Sequence, residues 1–428
     1  MALSVTATEL GLDTPPVVDL RLAEVDRTPG LYPYPRFSLA ERDRRWRAVR
    51  RLMADQGLDV LVTPQNTGHS MDFQSNTRWL THCGGGGDAD IAAVFPLEGE
   101  ATVVATSAVP RWPPVQTWIT DVREARRNYG RRIVERLREL GPRTIGIAGL
   151  GGGTRTPEGT INHGTYTQIR EAFPDAELRD ATELMEEVRF VKSDEEIAFL
   201  ARSKQLIDQA TEAEIAAARP GRSDWEVWAD TLYAMFRGGS EMPVHCNWVS
   251  GPRPVRTLTR PSHRTLEPGD IIFNELEASW GGYRAQGVVP VAVGQPDPAY
   301  QELMKVQAVL FSDMLEALRP GTTLGELQAR CAALARSTAP STGPAAGCTG
   351  VLTMHGRGAG DDGPIITGHA RDPKQLGVPL RERMVFILKP QVHSADESYT
   401  ITWGDTVLVT ADGGQRLGTR PHGIAIAE

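Results

Sequence analysis

Apolar and polar positions alternate in short, regular blocks over the first half of the chain. After Ser38, apolar residues recur at helical intervals as far as Gly57, and Ser38 and Glu41 have the spacing of a capping box. This pattern predicts an amphipathic helix. Short apolar runs predict strands at 58–63, 91–107 and 144–150, with a further helix near 128–140. The alternation of strands and helices predicts an α/β domain over residues 37–189, preceded by a proline-rich extended arm over 1–36.

The second half begins with another capping-box spacing, Ser193 and Glu196, which predicts a long helix ending near Ala217. Helices are also predicted over 225–236, 298–318 and 324–337. Strands are predicted over 245–251, 384–392 and 405–414, with a glycine-rich segment around His355. These elements predict a second domain over residues 190–428, of α/β or α+β type, and no internal repeat is evident.

The segment 269–294 predicts a β-hairpin, because two runs of β-branched and apolar residues flank a Trp-Gly-Gly-Tyr turn. Polar residues interrupt both arms, with Glu275 on the first and Gln286 on the second. Glu275 and Glu277 alternate along one strand and therefore share a face, which indicates that this face lines a cleft.

Composition narrows the classes of partner. The 428 residues carry a formal charge of −8, which argues against a general nucleic-acid binder and leaves small molecules or protein as partners. The sequence contains neither an apolar run that could span a membrane nor a secretory leader at its start, so a cytoplasmic protein is expected. Four scattered cysteines without CxxC spacing predict reduced thiols rather than a disulfide framework or a zinc knuckle.

The order of motifs along the chain resembles the creatinase/prolidase family, the M24 peptidases with the pita-bread fold. The resemblance rests on segments spread over residues 37–428: VKSDEEI, SGPRP, LEPGDIIF, GGY, MHGRG, RMVFILKPQV and DTVLVTADGG. It implies a creatinase-like α/β N-terminal domain, an α+β pita-bread catalytic-type C-terminal domain, and a homodimer.

Peptidases of this family hold two divalent metals with two aspartates, one histidine and two glutamates. Matched motif by motif, the aspartates correspond to Glu275 and Gln286, the histidine to His355, and the glutamates to Lys389 and Gly404. A lysine has no acceptor for a cation and a glycine has no side chain, whereas two close divalent ions need several anionic ligands. The sequence therefore predicts that no metal and no other cofactor is bound.

Creatinase and ectoine hydrolase are similar enzymes that work without metal. Both place a histidine where this chain has Leu258, and His245, His263, Arg256 and Arg260 flank that position as substitutes or as surface residues. Creatinase also carries a glutamate and an arginine where this chain has Val288 and Val289, which argues against creatine as the substrate.

Three residues are predicted to be catalytic by this resemblance. His355 would move protons, Glu275 would position or activate water, and Lys389 would stabilise an oxyanion or anchor a carboxylate. For His355 a structural role is the alternative, and for Lys389 an exposed strand end. Further residues are predicted to contact substrate, with packing or a solvated turn as the alternative for several of them: Gln286, Glu277, Tyr283, Asp361, Asp362 and Asp88.

The sequence thus predicts a metal-independent, creatinase-like hydrolase that cleaves a C–N bond of a small polar molecule. Three alternatives remain open. The first is a catalytically silent pita-bread module that binds a peptide or other ligand, and the second is a lyase on the same fold. The third is a metal-dependent Xaa-Pro aminopeptidase.

Overall fold

The structure is a computed structural model, and the chain divides into two compact units between Arg189 and Phe190. The sequence places its domain boundary at the same residue. The described residues are 36–65, 75–84, 90–106, 118–154, 156–242, 245–254, 260–366 and 372–428. The predicted N-terminal arm lies outside them except for Arg36.

The N-terminal unit is built on a six-stranded sheet in the order β4-β3-β2-β1-β5-β6. Its strands are β1 (Val60–Thr63), β2 (Ile91–Pro96), β3 (Thr102–Ala105), β4 (Asp121–Glu124), β5 (Thr144–Ile147) and β6 (Glu177–Asp180). Its helices are α1 (Leu39–Asp55), α2 (Ser75–Thr81), α3 (Tyr129–Leu140), α4 (His163–Ala172) and α5 (Thr182–Phe190).

Local signals in the sequence set several of these boundaries. The Ser38 side chain accepts from the backbone N–H of Glu41 at 3.0 Å, so α1 begins where the capping spacing predicts. Gly141 ends α3 in the left-handed conformation that glycine adopts without strain. The strands 58–63, 91–107 and 144–150 are confirmed within a few residues, and the α/β class of this unit is confirmed.

The described residues of the C-terminal unit form four long helices, one short helix and two sheets. Its helices are α6 (Asp194–Ala217), α7 (Asp224–Arg237), α8 (Pro298–Ala317), α9 (Leu324–Thr338) and the short α10 (Pro373–Leu376). One sheet contains β7 (Cys246–Gly251), β8 (Ile271–Trp280), β9 (Tyr283–Gly287), β10 (Val291–Val293) and β17 (Ala425–Ala427). The other contains β11 (Thr349–Gly356), β12 (Ile365–Ile366), β13 (Val385–His393), β14 (Thr400–Thr402), β15 (Asp405–Thr410) and β16 (Gly413–Arg416).

The C-terminal unit repeats one arrangement in its two halves, which inspection of the sequence missed. Each half has a helix, an Arg-Pro-Gly turn and a second helix that begins with a capping box, at Ser223 in α7 and at Thr323 in α9. In each half the turn glycine, Gly221 or Gly321, has a positive φ near 90°. The repeat is hard to see because it lies in cap and turn positions rather than in a run of identical residues.

The predicted hairpin is present, but its second arm is broken into β9 and β10. The Asn274 side chain accepts from the backbone N–H of Val289 at 3.3 Å and donates to its carbonyl at 3.0 Å, in place of strand-to-strand bonds. Pro290 follows and has no N–H to donate. The arm therefore bulges where a continuous strand was predicted.

β11 was predicted only as a glycine-rich segment, yet it pairs with β13 along its full length. Leu352 and Met354 of β11 join Leu388 of β13 in the large apolar core that includes residues of α8 and α9. Side chains alternate along a strand, so Thr353, His355 and Lys389 lie on the opposite face. Two of the residues predicted to be catalytic, His355 and Lys389, therefore lie on this face.

All four cysteines are free thiols, as predicted. No helix in the described residues is long and apolar enough to cross a membrane.

Candidate active site

An ammonium and a carboxylate from different sheets of the C-terminal unit meet at the centre of the candidate site. Lys389 of β13 is 4% exposed, and its Nζ donates to Oε1 of Glu275 on β8 in a short ion pair. Gln286 of β9 offers a second acceptor, its Oε1, at 3.4 Å from Nζ. The structure therefore brings together three residues that the sequence predicted as site residues.

The second oxygen of Glu275 is contacted by His245, the residue immediately before β7, and by Asn247 of β7. Nε2 of His245 lies 2.7 Å from Oε2, and Nδ2 of Asn247 lies 3.4 Å from the same atom. Asn247 and Glu275 are direct partners in the β7–β8 register, and this pairing orients both side chains to one face. The sequence placed His245 among four possible substitutes for a missing histidine, and it did not identify Asn247.

The charge state of Glu275 follows from these partners. Burial alone would raise its pKa, but the positive charge of Lys389 and the hydrogen bond from His245 more than reverse this effect. The pKa of Glu275 therefore lies well below its usual range. A carboxylate held this firmly as an anion accepts a proton poorly. Glu275 thus lies between Lys389 and His245 as a carboxylate that contacts both, and its role of positioning or activating water stays a prediction.

Glu277 lies in a buried ion cluster rather than at an open cleft wall. Its Oε2 accepts from Arg357 at 2.6 Å and its Oε1 from Arg284 at 3.2 Å. Burial would raise the pKa of Glu277, but the two guanidinium groups lower it below the usual value. The prediction that Glu277 contacts substrate therefore does not match its surroundings. Neither arginine was predicted, because the contact of each with Glu277 depends on how the strands pair in the folded protein.

His355 is 6% exposed and points from β11 toward the face that carries Lys389. Its Nδ1 lies 3.3 Å from the carbonyl oxygen of Gly356 and 3.9 Å from Oδ1 of Asp361. Asp361 in turn forms a close ion pair with Arg357. Asp361, which was predicted to contact substrate, thus lies between the imidazole of His355 and the guanidinium of Arg357.

Two other predicted substrate contacts are engaged elsewhere in the unit. Asp362 pairs with Lys192 at 2.9 Å, and both side chains are almost fully buried. The Tyr283 hydroxyl donates to Glu196 of α6 at 2.7 Å, which ties the hairpin turn to that helix. Asp362 and Tyr283 therefore contact protein groups where substrate contacts were predicted. Asp88 lies outside the described residues.

Two family profiles match the chain. The profile "Metallopeptidase family M24" matches residues 198–411, half of the chain, and "Creatinase/Prolidase N-terminal domain" matches residues 45–191. The chain belongs to the M24 family. The resemblance inferred from the motifs is therefore confirmed, together with the fold class that it implied: a creatinase-type N-terminal domain and a pita-bread C-terminal domain.

Relatives within the M24 family bear peptidase names. The chain is 26% identical over 261 residues to the "Xaa-Pro dipeptidase" of Pyrococcus furiosus, an alignment that covers 61% of this chain and 72% of the relative. It is 24% identical over 282 residues to "Uncharacterized peptidase YqhT" of Bacillus subtilis, covering 66% and 74%. Both printed names describe peptidases.

Solved structures of peptidases have a similar fold. The X-Pro aminopeptidase from Thermotoga maritima superimposes with a TM-score of 0.72 at 18% identity, covering 89% of this chain and 99% of that one. The prolidase from Pyrococcus horikoshii gives 0.68 at 18% identity, covering 89% and 99%. At this identity the likeness concerns the fold alone.

The donor set of this M24 chain does not fit a pair of divalent metals. Lys389 places an ammonium against Glu275 where a second cation would be repelled, and Gln286 contributes no charge. At Gly404 a Cβ atom would lie 2.6 Å from the Cβ of Lys389, so no side chain enters the site from that position. Within the described ranges, no group of three or more His, Cys, Asp or Glu side chains is arranged to hold a metal.

Proposed function

We propose that this chain hydrolyses the C–N bond of a small peptide-like molecule at the cluster formed by Lys389, Glu275 and His245. We further propose that it does so without the metal pair of its relatives. The observation that carries the proposal is the ion pair between Lys389 and Glu275. It places the positive charge of the Lys389 ammonium at the centre of the site, where the family's peptidases would hold metal ions.

Lys389 can supply the electrophilic contact that such a reaction needs. An ammonium has three N–H donors, and within the described part of the chain Glu275 and Gln286 accept two of them. The third can donate to a substrate carbonyl oxygen. Because Lys389 is buried and its carboxylate partner is fixed, this donor is oriented before substrate binds, which favours stabilisation of the oxyanion.

The reaction proceeds by addition of water. The water oxygen bonds to the carbonyl carbon, its proton passes to a base of the site, and the carbonyl oxygen takes a negative charge beside Nζ of Lys389. The tetrahedral intermediate then breaks its C–N bond. The nitrogen keeps the bonding electrons and receives a proton, which leaves a carboxylic acid and an amine.

The names of the relatives favour an Xaa-Pro dipeptide as the first substrate to test, rather than a creatine-like molecule. They also favour hydrolysis over the lyase alternative. The polar cluster of lysine, glutamate and histidine argues for chemistry and against a silent binding module. A homodimer in the cytoplasm remains part of the proposal.

A metal-dependent Xaa-Pro peptidase is the second candidate. The names of the relatives favour it more strongly than a creatinase-type enzyme, and only the donor set of the site opposes it. The two candidates share a reaction class and differ in what polarises the carbonyl group.

The deciding experiment uses the full chain after dialysis against a chelator. Release of proline is measured from a panel of Xaa-Pro dipeptides, with and without added Mn²⁺, for wild type and Lys389→Met. We expect the chelated wild type to be active and Lys389→Met to lose about 10²–10³-fold in kcat. Activity that requires added Mn²⁺ would establish the second candidate. Release from no dipeptide in either condition would reject peptide hydrolysis.

A further inference from the structure

His245 occupies a position in the site that the proposed function does not yet use. Its Nε2 bonds to Glu275, while its side chain remains 21% exposed. Within the described part of the chain no group bonds its other ring nitrogen, Nδ1. His355, by contrast, is almost fully buried, with the Gly356 carbonyl and Asp361 near its Nδ1. Of these two imidazoles, His245 is the more accessible to a substrate.

The hydrogen bond to Glu275 determines which nitrogen of His245 can accept a proton. Nε2 faces a carboxylate that is held as an anion, so Nε2 carries the hydrogen and donates it. Nδ2 of Asn247 also lies 2.9 Å from Nε2, but its acceptor is then Oε2 of Glu275, at 3.4 Å. In the neutral ring, Nδ1 consequently presents a lone pair.

From this geometry we infer that His245 is the proton-transferring residue of the site and that Glu275 is its positioning residue. The inference rests on the proposed function and names the base that the hydrolytic step requires. Nδ1 of His245 takes a proton from the attacking water and returns it to the departing nitrogen. Lys389 and His245 contact opposite oxygens of one carboxylate, so one small substrate can meet both groups.

This assignment also explains how the site functions without a histidine at position 258. The imidazole belongs to the residue immediately before β7, and it reaches Glu275 because β7 and β8 pair in register from Cys246 to Gly251. The assignment replaces His355, which the sequence favoured as the residue that moves protons.

The test compares three alanine variants at histidines. We expect His245→Ala to lower kcat by about 10²–10⁴-fold, with a small change in KM, and added imidazole to restore part of the lost rate. His163→Ala, at an exposed histidine on α4 of the N-terminal unit, should retain wild-type kinetics. A fall of less than tenfold in His245→Ala would overturn the inference. An equal fall in His355→Ala that imidazole restores would also overturn it.

A second measurement does not depend on the substrate and keeps this inference separate from the proposed function. Diethyl pyrocarbonate modifies accessible imidazoles that carry a lone pair, and peptide mass mapping gives the rate at each histidine. We expect His245, whose side chain is 21% exposed, to react at least about tenfold faster than the almost fully buried His355. His245 should react more slowly in Glu275→Gln, where no carboxylate keeps the hydrogen on Nε2 and the lone pair on Nδ1. Equal rates at His245 and His355 would overturn the inference even if no dipeptide is cleaved.

Discussion

Replacing the buried Glu214 by glutamine should remove a large pH dependence from the stability of this protein. Glu214 lies on α6 and is fully buried, where both of its oxygens lie 2.8 Å from Nδ2 of Asn274. Burial raises the pKa of Glu214 from 4.5 to about 8, against smaller opposing effects of Asn274 and Arg420. The folded protein therefore keeps this proton at pH values where the unfolded chain has lost it.

The sign and size of the effect follow from that difference. Because the folded pKa is raised, the free energy of unfolding falls as the pH rises from 4.5 to about 8. Each pH unit in this window costs about 1.4 kcal/mol, so the total cost approaches about 5 kcal/mol. Between pH 6 and pH 8 alone, the loss is about 2 kcal/mol.

Urea unfolding followed by tryptophan fluorescence at pH 6 and pH 8 measures this loss. Glutamine is a neutral isostere of the protonated acid, so Glu214→Gln should lose about 2 kcal/mol less than wild type between the two pH values. Glu171→Gln, at an exposed glutamate, is the control and should follow wild type. If Glu214→Gln and wild type change in parallel with pH, the argument that Glu214 is held neutral is refuted.

Three further substitutions test the structure around the site. Lys192→Met leaves Asp362 charged and buried, so urea unfolding should show that the free energy of unfolding falls by about 3–5 kcal/mol. Adding Asp362→Leu should restore most of this loss, and no restoration would contradict a buried ion pair. Tyr283→Phe should lose about 1–3 kcal/mol of stability with KM unchanged, whereas a raised KM would return Tyr283 to the substrate site. Gly404→Ala should lower the free energy of unfolding by about 1–3 kcal/mol and remove most of the activity, because its Cβ would displace Lys389. Wild-type activity in this variant would contradict the close contact.

Elements with local signals were predictable from the sequence. The capping box that Ser193 forms with Glu196, and the matching spacing of Ser38 and Glu41, mark helix starts because a cap is formed by residues only three positions apart. β11 was missed because its threonines and glycines give no clear strand pattern. Its pairing with β13 reaches residues about 40 positions away. The bulge after Gly287 was also missed, because it depends on a hydrogen bond from the Asn274 side chain to Val289, 15 positions away.

The residues of the candidate site also divide into those that a local sequence motif identifies and those that only the folded structure shows. Glu275, Gln286 and Lys389 were identified because each stands at a motif position of a recognisable family. His245 was left among several alternatives, because its contact with Glu275 depends on strand register across 30 positions of sequence. The ion pair of Arg357 with Glu277 joins residues 80 positions apart, so no local pattern predicts it. The sequence therefore predicted that Glu277 lines a cleft, whereas its buried carboxylate is neutralised by Arg357 and Arg284.

The close approach of Gly404 to Lys389 limits which side chains the site could carry. A glutamate at 389 alone would place a second anion against Glu275 with no cation between them. A glutamate at 404 would require the backbone to move, because its Cβ would lie 2.6 Å from the Cβ of residue 389. Rebuilding a metal-ligand set by substitution would therefore require a change in the backbone around 404 as well as new side chains at 389 and 404.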